Sequence, residues 1–127
     1  MGIIVLKSSE ILAIQKRTID QHGGIHGVRD QNAFESAIAA VENRIHYEEA
    51  DVVTCAATYA YHLVQAHAFL DGNKRVAAAT TLVFLHVNGY ELNMSHADII
   101  QLFLDIAAGK IERDRVEKFI KSNASLR

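Results

Sequence analysis

The sequence predicts an all-α protein, a helical bundle with minor short strands, and three observations support this fold class. The 127 residues include no proline, so nothing in the chain interrupts long helices. Apolar residues recur at helical spacing in several stretches, each bounded by glycine or by a residue that can cap a helix. Half of the residues are apolar, which suffices for one core in a single domain spanning residues 1–127.

The first third of the chain is predicted to contain two helices. The first begins at possible caps in residues 8–10, carries an isoleucine stripe to about His22 and ends at the glycine pair 23–24. The second begins at Asp30 or Asn32 and buries Phe34, Ala37, Ile38 and Val41. Residues 3–6 are expected to be either a short edge strand or an ordered tail.

Two long apolar helices are predicted to flank a short polar segment. The run that follows the cap Asp51 is apolar almost all round, which is typical of a central, buried helix, and it ends at His67. Asn73 is expected to cap the second apolar helix, which stops at residues 88–89. The rest of the chain is predicted to form a strand at 90–92, a helix from about Ser95 to Gly109, and a short helix from Asp114 to about Lys121.

Composition excludes some classes of protein and limits others. The formal net charge of −2 gives no case for a nucleic-acid or membrane-surface binder, so any phosphate binding must be local. Cys55 is the only cysteine, which forbids an internal disulfide, fits a reducing compartment and is expected to be a small core residue. No targeting signal is evident, and the chain is expected to be cytoplasmic.

The segment 67–75, which reads His-Ala-Phe-Leu-Asp-Gly-Asn-Lys-Arg, contains the residues expected of a phosphate site. The N-terminus of a helix presents unpaired N–H groups and partial positive charge, so the helix predicted from Asn73 can bind an anion. Gly72 permits close approach to the backbone, while Lys74 and Arg75 add charge at the same helix end. These four residues are therefore candidates for binding a phosphorylated cofactor.

The same segment also supplies groups for proton transfer and metal binding. His67 has an ordinary pKa that suits a general base near neutral pH. Asp71 is a hard oxygen ligand close to the phosphate site, where Mg²⁺ on a polyphosphate would bind. Phe69 is expected to point inward as a structural anchor. The pattern indicates phosphoryl or nucleotidyl chemistry, although it lacks the Walker, kinase glycine-rich and zinc patterns.

The pattern of residues 67–75 resembles the signature of the Fic/Doc family, and most closely that of its death-on-curing (Doc) toxin branch. Similar residues at 23–24, 27–30, 47–49 and 88–90 extend the resemblance over nearly the whole chain. The resemblance implies an α-helical Fic fold in which this segment lies between two central helices. It also implies transfer of part of ATP, with Mg²⁺, to a hydroxyl group of a target protein.

The resemblance implies a role for each residue of the motif. His67 would take the proton of the target hydroxyl, and Asp71 would hold Mg²⁺. Gly72, Asn73 and Lys74 would line the anion-binding turn, and Arg75 would hold phosphate. A flap that pairs with the target as an added strand is implied as well. Its candidates are Ile45, His46 and Tyr47, which lie in a stretch compatible with an extended conformation.

Two departures from the common Fic pattern favour phosphate transfer over AMP transfer. Lys74 stands where that pattern has glycine, and Ala78 stands where it has a second arginine. Both resemble the Doc branch, which implies a kinase that places the γ-phosphate at His67 rather than an AMP transferase that places the α-phosphate there. Ala79 stands where Doc-like chains can have asparagine, which affects the expected nucleotide contacts. A non-catalytic module that binds nucleotide or a partner remains an alternative of another class.

The resemblance also implies partners. The expected target is a threonine of elongation factor Tu, and the expected inhibitor is a small antitoxin with a disordered tail that blocks the active-site groove. The self-inhibitory motif of other Fic proteins is not matched, because Ile38 takes its Ser/Thr place before Glu42 and Asn43. Restraint by a partner chain is therefore expected. Direct binding to nucleic acid or to a membrane is not expected.

Overall fold

A computed structural model describes residues 2–127, which form helices around one apolar core together with a very small sheet. The prediction of an all-α Fic-like fold is confirmed. In chain order the elements are α1 (Ser8–His22), α2 (Gln31–Glu48), α3 (Val52–Ala66), α4 (Asn73–Val87), β1 (Tyr90–Leu92), α5 (His96–Ala107), α6 (Arg113–Asn123) and β2 (Ala124–Leu126).

Helix α3 is the centre of the bundle, as its apolar sequence predicted. It contacts α2, α4, α5 and α6, and all six residues from 55 to 60 are buried. The Tyr59 ring lies 4.9 Å from the Phe84 ring of α4, and its hydroxyl accepts a hydrogen bond from the Leu6 N–H at 3.2 Å. Burial raises the pKa of the Cys55 thiol to about 11, which fits the predicted core role of this cysteine.

Several helix starts follow the predicted caps. Asp30, Asp51 and Ser95 each accept a hydrogen bond from the backbone N–H three residues later, at 2.8–3.1 Å. The Thr54 N–H that binds Asp51 lowers the pKa of this carboxyl group. The helix end at residues 88–89 and the strand at 90–92 also agree with the prediction.

The predicted caps of three helices were wrong. The N-cap of α1 is Lys7, so the predicted caps in residues 8–10 lie inside the helix. Gly72 is the N-cap of α4 with φ of 79°, and Asn73 is the first helical residue, because its side chain is bound to the backbone of Phe69 instead. The N-cap of α6 is Glu112, two residues before the predicted cap Asp114, which lies in the first turn of the helix.

The expectation that Ile45, His46 and Tyr47 are extended was also wrong, because they lie in the last turns of α2. The helical periodicity of this stretch is weak, and tertiary contacts stabilise the helix instead. The Arg44 guanidinium binds Thr58 of α3 and Glu117 of α6, and the Ile45 side chain packs against the core. The helix continues until Glu49, which has a left-handed backbone with φ of 51°.

Two further features concern the chain ends. Residues 3–6 form an ordered tail rather than a strand, with Leu6 buried in the core. Strand β2 was not predicted, and it pairs antiparallel with β1 through Tyr90–Leu126, Glu91–Ser125 and Leu92–Ala124. None of the helices in residues 2–127 is long and apolar enough to cross a bilayer.

Candidate active site

The candidate site is the six-residue connection between helices α3 and α4. Left-handed backbone conformations occur at both of its ends, at His67 with φ of 46° and at Gly72 with φ of 79°. A positive φ is uncommon for a residue other than glycine and is found where neighbouring contacts impose it. At His67 the chain turns out of α3, and the imidazole side chain is exposed.

Phe69 anchors the connection to the core. Its side chain is 1% exposed, and its ring lies 5.3 Å from the ring of Phe34 in α2. The Asn73 side chain binds both backbone groups of Phe69. Its Oδ1 accepts from the Phe69 N–H at 2.9 Å, and its Nδ2 donates to the Phe69 carbonyl at 3.0 Å. Asn73 thus fastens the start of α4 to the buried centre of the loop.

The segment before α2 lies alongside this loop and holds its backbone. Val28 forms a single antiparallel bridge with Phe69, and the N–H groups of Arg29 and Asp30 both donate to the Ala68 carbonyl, at 2.7 and 3.1 Å. The Arg29 guanidinium donates to the His67 carbonyl, with Nε at 3.1 Å. These contacts account for the left-handed conformation at His67.

Asp71 is held by a second group of contacts, on the side of α1. Its Oδ2 accepts from the Ile25 N–H at 2.8 Å, and its carbonyl accepts from Nε2 of Gln15 at 3.3 Å. Among residues 2–127 no hydrogen bond reaches Asp71 Oδ1. One carboxylate oxygen is therefore occupied, and the other is left for a ligand.

Gln15 and Arg29 were not identified from the sequence as site residues. Gln15 is 2% exposed, because it lies at helical spacing between the buried Ile11 and Ile19. A polar residue on the apolar stripe of a helix has to find hydrogen-bond partners, and this signal could have identified Gln15. Arg29 belongs to residues 27–30, which contribute to the family resemblance, but only the tertiary structure reveals its contact with His67.

The part of the site that is predicted to bind phosphate carries two exposed cations at the start of α4. Lys74 and Arg75 are exposed in the first turn of α4, and neither forms an ion pair within residues 2–127. Cations at a helix N-terminus are disfavoured by the helix dipole. A bound anion would offset this repulsion, and the N–H groups of the same turn would bind it.

A metal ion would be bound here through Asp71 and a ligand's phosphate groups. No cluster of three or more His, Cys, Asp or Glu side chains suited to a metal occurs in residues 2–127. Mg²⁺ is commonly bound through one or two carboxylates and the phosphates of a substrate. The donor set of this loop, one carboxylate oxygen beside a cationic helix start, fits that mode.

The structure brings most of the predicted site residues together, with one exception. His67, Phe69, Asp71, Gly72, Asn73, Lys74 and Arg75 all lie on the one connection and the first turn of α4. Ile45, His46 and Tyr47 do not join them. The start of α2 contacts Ala68, and Ile45 lies 14 residues beyond Gln31, which is roughly 20 Å along a helix. A role of these three residues in target binding stays a prediction, but it cannot use an added strand.

Comparison with known proteins agrees with this arrangement. The model of the Fic/DOC family matches residues 5–85, which include the whole loop, all of α3 and all but the last two residues of α4. The chain is 32% identical over 107 residues to the protein kinase Doc of Escherichia phage P1, covering 84% of each chain. It is 36% identical over 72 residues to the toxin Doc of Mycolicibacterium smegmatis, covering 55% of each. With the loop, its supporting helices and these similarities in agreement, the chain belongs to the Fic/Doc family.

Proposed function

We propose that this protein is a Doc-like toxin that transfers the γ-phosphate of ATP to a serine or threonine hydroxyl of a target protein. The observation that carries the proposal is the loop at residues 67–75, where an exposed histidine, a half-engaged carboxylate and a cationic helix start are adjacent. The similarity to a relative named a protein kinase supports phosphate transfer as the reaction.

In the proposed reaction His67 acts as the general base. Its imidazole accepts the proton of the target hydroxyl as that oxygen attacks the γ-phosphorus. The new oxygen–phosphorus bond forms while the bond between the γ-phosphorus and the β,γ-bridging oxygen breaks, and ADP leaves. The exposed position of His67 at the end of α3 leaves its ring accessible to a protein substrate.

The remaining motif residues bind the nucleotide. The N–H groups at the start of α4, with Gly72 and Asn73, would receive phosphate oxygens, and Lys74 and Arg75 would offset their charge. Asp71 would hold Mg²⁺ through Oδ1. When bound, the metal would offset negative charge on the phosphates.

AMP transfer is the second candidate, and the orientation of the nucleotide separates it from the first. Ala78 in place of the second arginine removes a cation from the second turn of α4, and Lys74 adds one at its first turn. A cation close to Gly72 would favour the terminal phosphate groups at that turn. This difference supports γ-phosphate transfer.

The proposal includes partners and a location. Because both relatives are named Doc and one is named a toxin, we propose an antitoxin that covers the active-site groove. The proposed substrate is a translation factor, elongation factor Tu being the first to test, so that phosphorylation would halt translation and growth. The proposed location is the cytoplasm.

The test uses the purified protein, a translation extract and ATP labelled at either the α- or the γ-phosphate. We expect label on a protein only from the γ-phosphate, and we expect His67→Ala to reduce it by about 10²–10⁴-fold. His86→Ala is the matched control, because His86 is also exposed but lies in the last turn of α4.

Each other outcome has a defined meaning. Label only from the α-phosphate would establish AMP transfer. Label from neither phosphate, together with growth arrest that survives His67→Ala, would favour the non-catalytic binding module. Full activity of a folded His67→Ala variant would refute the role of His67 as base.

A further inference from the structure

We propose that Gln15 of α1 is a positioning residue that fixes the orientation of the Asp71 carboxylate. The metal-binding consequence rests on the proposed function, whereas the positioning itself rests on the hydrogen bonds alone. Gln15 belongs to a different part of the chain from the motif, and it does not contact the reacting groups of the proposed mechanism.

The first step is the hydrogen bonding of the Gln15 carboxamide. Its Nε2 donates to the carbonyl groups of Ile25 and Asp71, both at 3.3 Å, and its Oε1 accepts from the Gly27 N–H at 3.3 Å. Two donations and one acceptance at a site that is 2% exposed require a primary amide. A carboxylate could not donate, and an apolar side chain would leave three backbone groups without this partner.

The second step leads from Gln15 to the carboxylate. Gln15 holds the carbonyl of Ile25, and the N–H of the same residue donates to Asp71 Oδ2 at 2.8 Å. Both polar backbone groups of Ile25 are thereby fixed, one by Gln15 and one by Asp71. The Asp71 carboxylate cannot rotate without losing the hydrogen bond from the Ile25 N–H. Oδ2 therefore stays occupied, and the orientation of Oδ1 is fixed.

Close packing keeps this arrangement together. A methyl group at Gly24 would lie 3.0 Å from Cβ of Asp71 and 3.0 Å from Cδ1 of Ile19. The segment before Ile25 therefore runs directly against Asp71, and small displacements of this segment change the position of the Ile25 N–H. Since Gln15 binds both Ile25 and Gly27, it determines where this segment lies.

The consequence for the proposed reaction concerns metal affinity rather than proton transfer. Groups that orient a ligating carboxylate typically change metal affinity by about 10–100-fold when they are lost. Gln15→Leu has nearly the size of glutamine but no hydrogen-bonding group. We expect it to raise the Mg²⁺ concentration for half-maximal phosphate transfer by about 10–100-fold. Transfer at saturating Mg²⁺ should change much less.

Gln65→Leu is the matched control. Gln65 also donates its Nε2 to a backbone carbonyl, that of Ile106 at 2.9 Å, but this bond joins α3 to α5. The Gln65→Leu variant should leave the Mg²⁺ dependence of phosphate transfer unchanged. Gln15→Glu is a second variant that keeps the acceptor for Gly27 and removes both donations, and it should resemble Gln15→Leu in Mg²⁺ dependence.

A second readout does not depend on any enzyme activity. Amide hydrogen exchange measured by NMR should show faster exchange of the Ile25 N–H in both Gln15 variants than in the wild type and in Gln65→Leu. Unchanged Ile25 exchange in folded Gln15→Leu or Gln15→Glu would overturn the proposal, as would an equal shift in Mg²⁺ dependence for Gln65→Leu. If the wild type transfers no phosphate, the proposed function fails, while faster Ile25 exchange would still support the positioning of Asp71.

Discussion

Replacing Asn73 by alanine tests whether the side chain that clamps Phe69 stabilises the whole fold. The variant loses two hydrogen bonds, of 2.9 and 3.0 Å, to a residue that is 1% exposed. Each such bond contributes a net 0.5–1.5 kcal/mol, so the loss is about 1–3 kcal/mol. Alanine is the better helix former by up to ~0.7 kcal/mol, which offsets part of this loss. The expected decrease in the free energy of unfolding is therefore about 1–2 kcal/mol.

Urea unfolding followed by circular dichroism measures this decrease, and an unchanged m-value shows that the unfolded state is not altered. For a chain of this size the melting temperature should fall by about 3–10 °C. Asn93→Ala is the control, because the Asn93 side chain binds the Ser125 hydroxyl at an exposed position. It should cost less than about 0.5 kcal/mol. An Asn73→Ala protein as stable as this control would refute the reasoning that the clamp holds the buried loop.

Two further predictions concern a partly buried histidine and a glycine. Burial first, and then the charges of Arg113 and Arg44, lower the pKa of His62, whose Nε2 lies 3.2 Å from the Arg113 guanidinium. His62 binds a proton more readily in the unfolded chain, so the free energy of unfolding should fall as the pH drops below about 6.5. Urea unfolding of His62→Gln should show a weaker fall with pH. A fall equal to that of the wild type would contradict the assignment to His62. Gly24→Ala places a methyl group 3.0 Å from Asp71 Cβ at φ of 119° and should cost about 1–3 kcal/mol. Gly23→Ala, with φ of 86° but no atom within 4 Å, should cost less, and equal losses would exclude a steric role of Asp71.

Local sequence information predicted the parts of the fold that depend on periodicity and on caps. The apolar run after Asp51 identified the central helix, because a helix that is apolar all round must be buried. The motif at residues 67–75 was identified from its residue types, and it occupies the connection after α3 and the first turn of α4. The glycine at position 72 indicated a turn, which the left-handed backbone of this residue forms.

Tertiary contacts decided the features that the sequence did not reveal. Helix α2 extends to Glu48 because Arg44 and Ile45 find partners in other elements, which no local pattern encodes. Asn73 was predicted as a cap from its residue type, but its side-chain amide forms two hydrogen bonds with the backbone of Phe69 instead. Strand β2 exists only because it pairs with β1, and three residues without alternation give no signal.

The support of the candidate site by distant segments has a consequence for the order of folding. The hydrogen bonds from Arg29 to His67, from Ile25 to Asp71 and from Gln15 to Asp71 span 38, 46 and 56 residues of chain. Closing such loops costs entropy that a helix, with its local contacts, does not have to overcome. Helices α3 and α4 can therefore form and pack while His67 and Asp71 still lack their supports. A packed pair of helices would then precede a competent loop, which needs residues 24–30 to dock onto it.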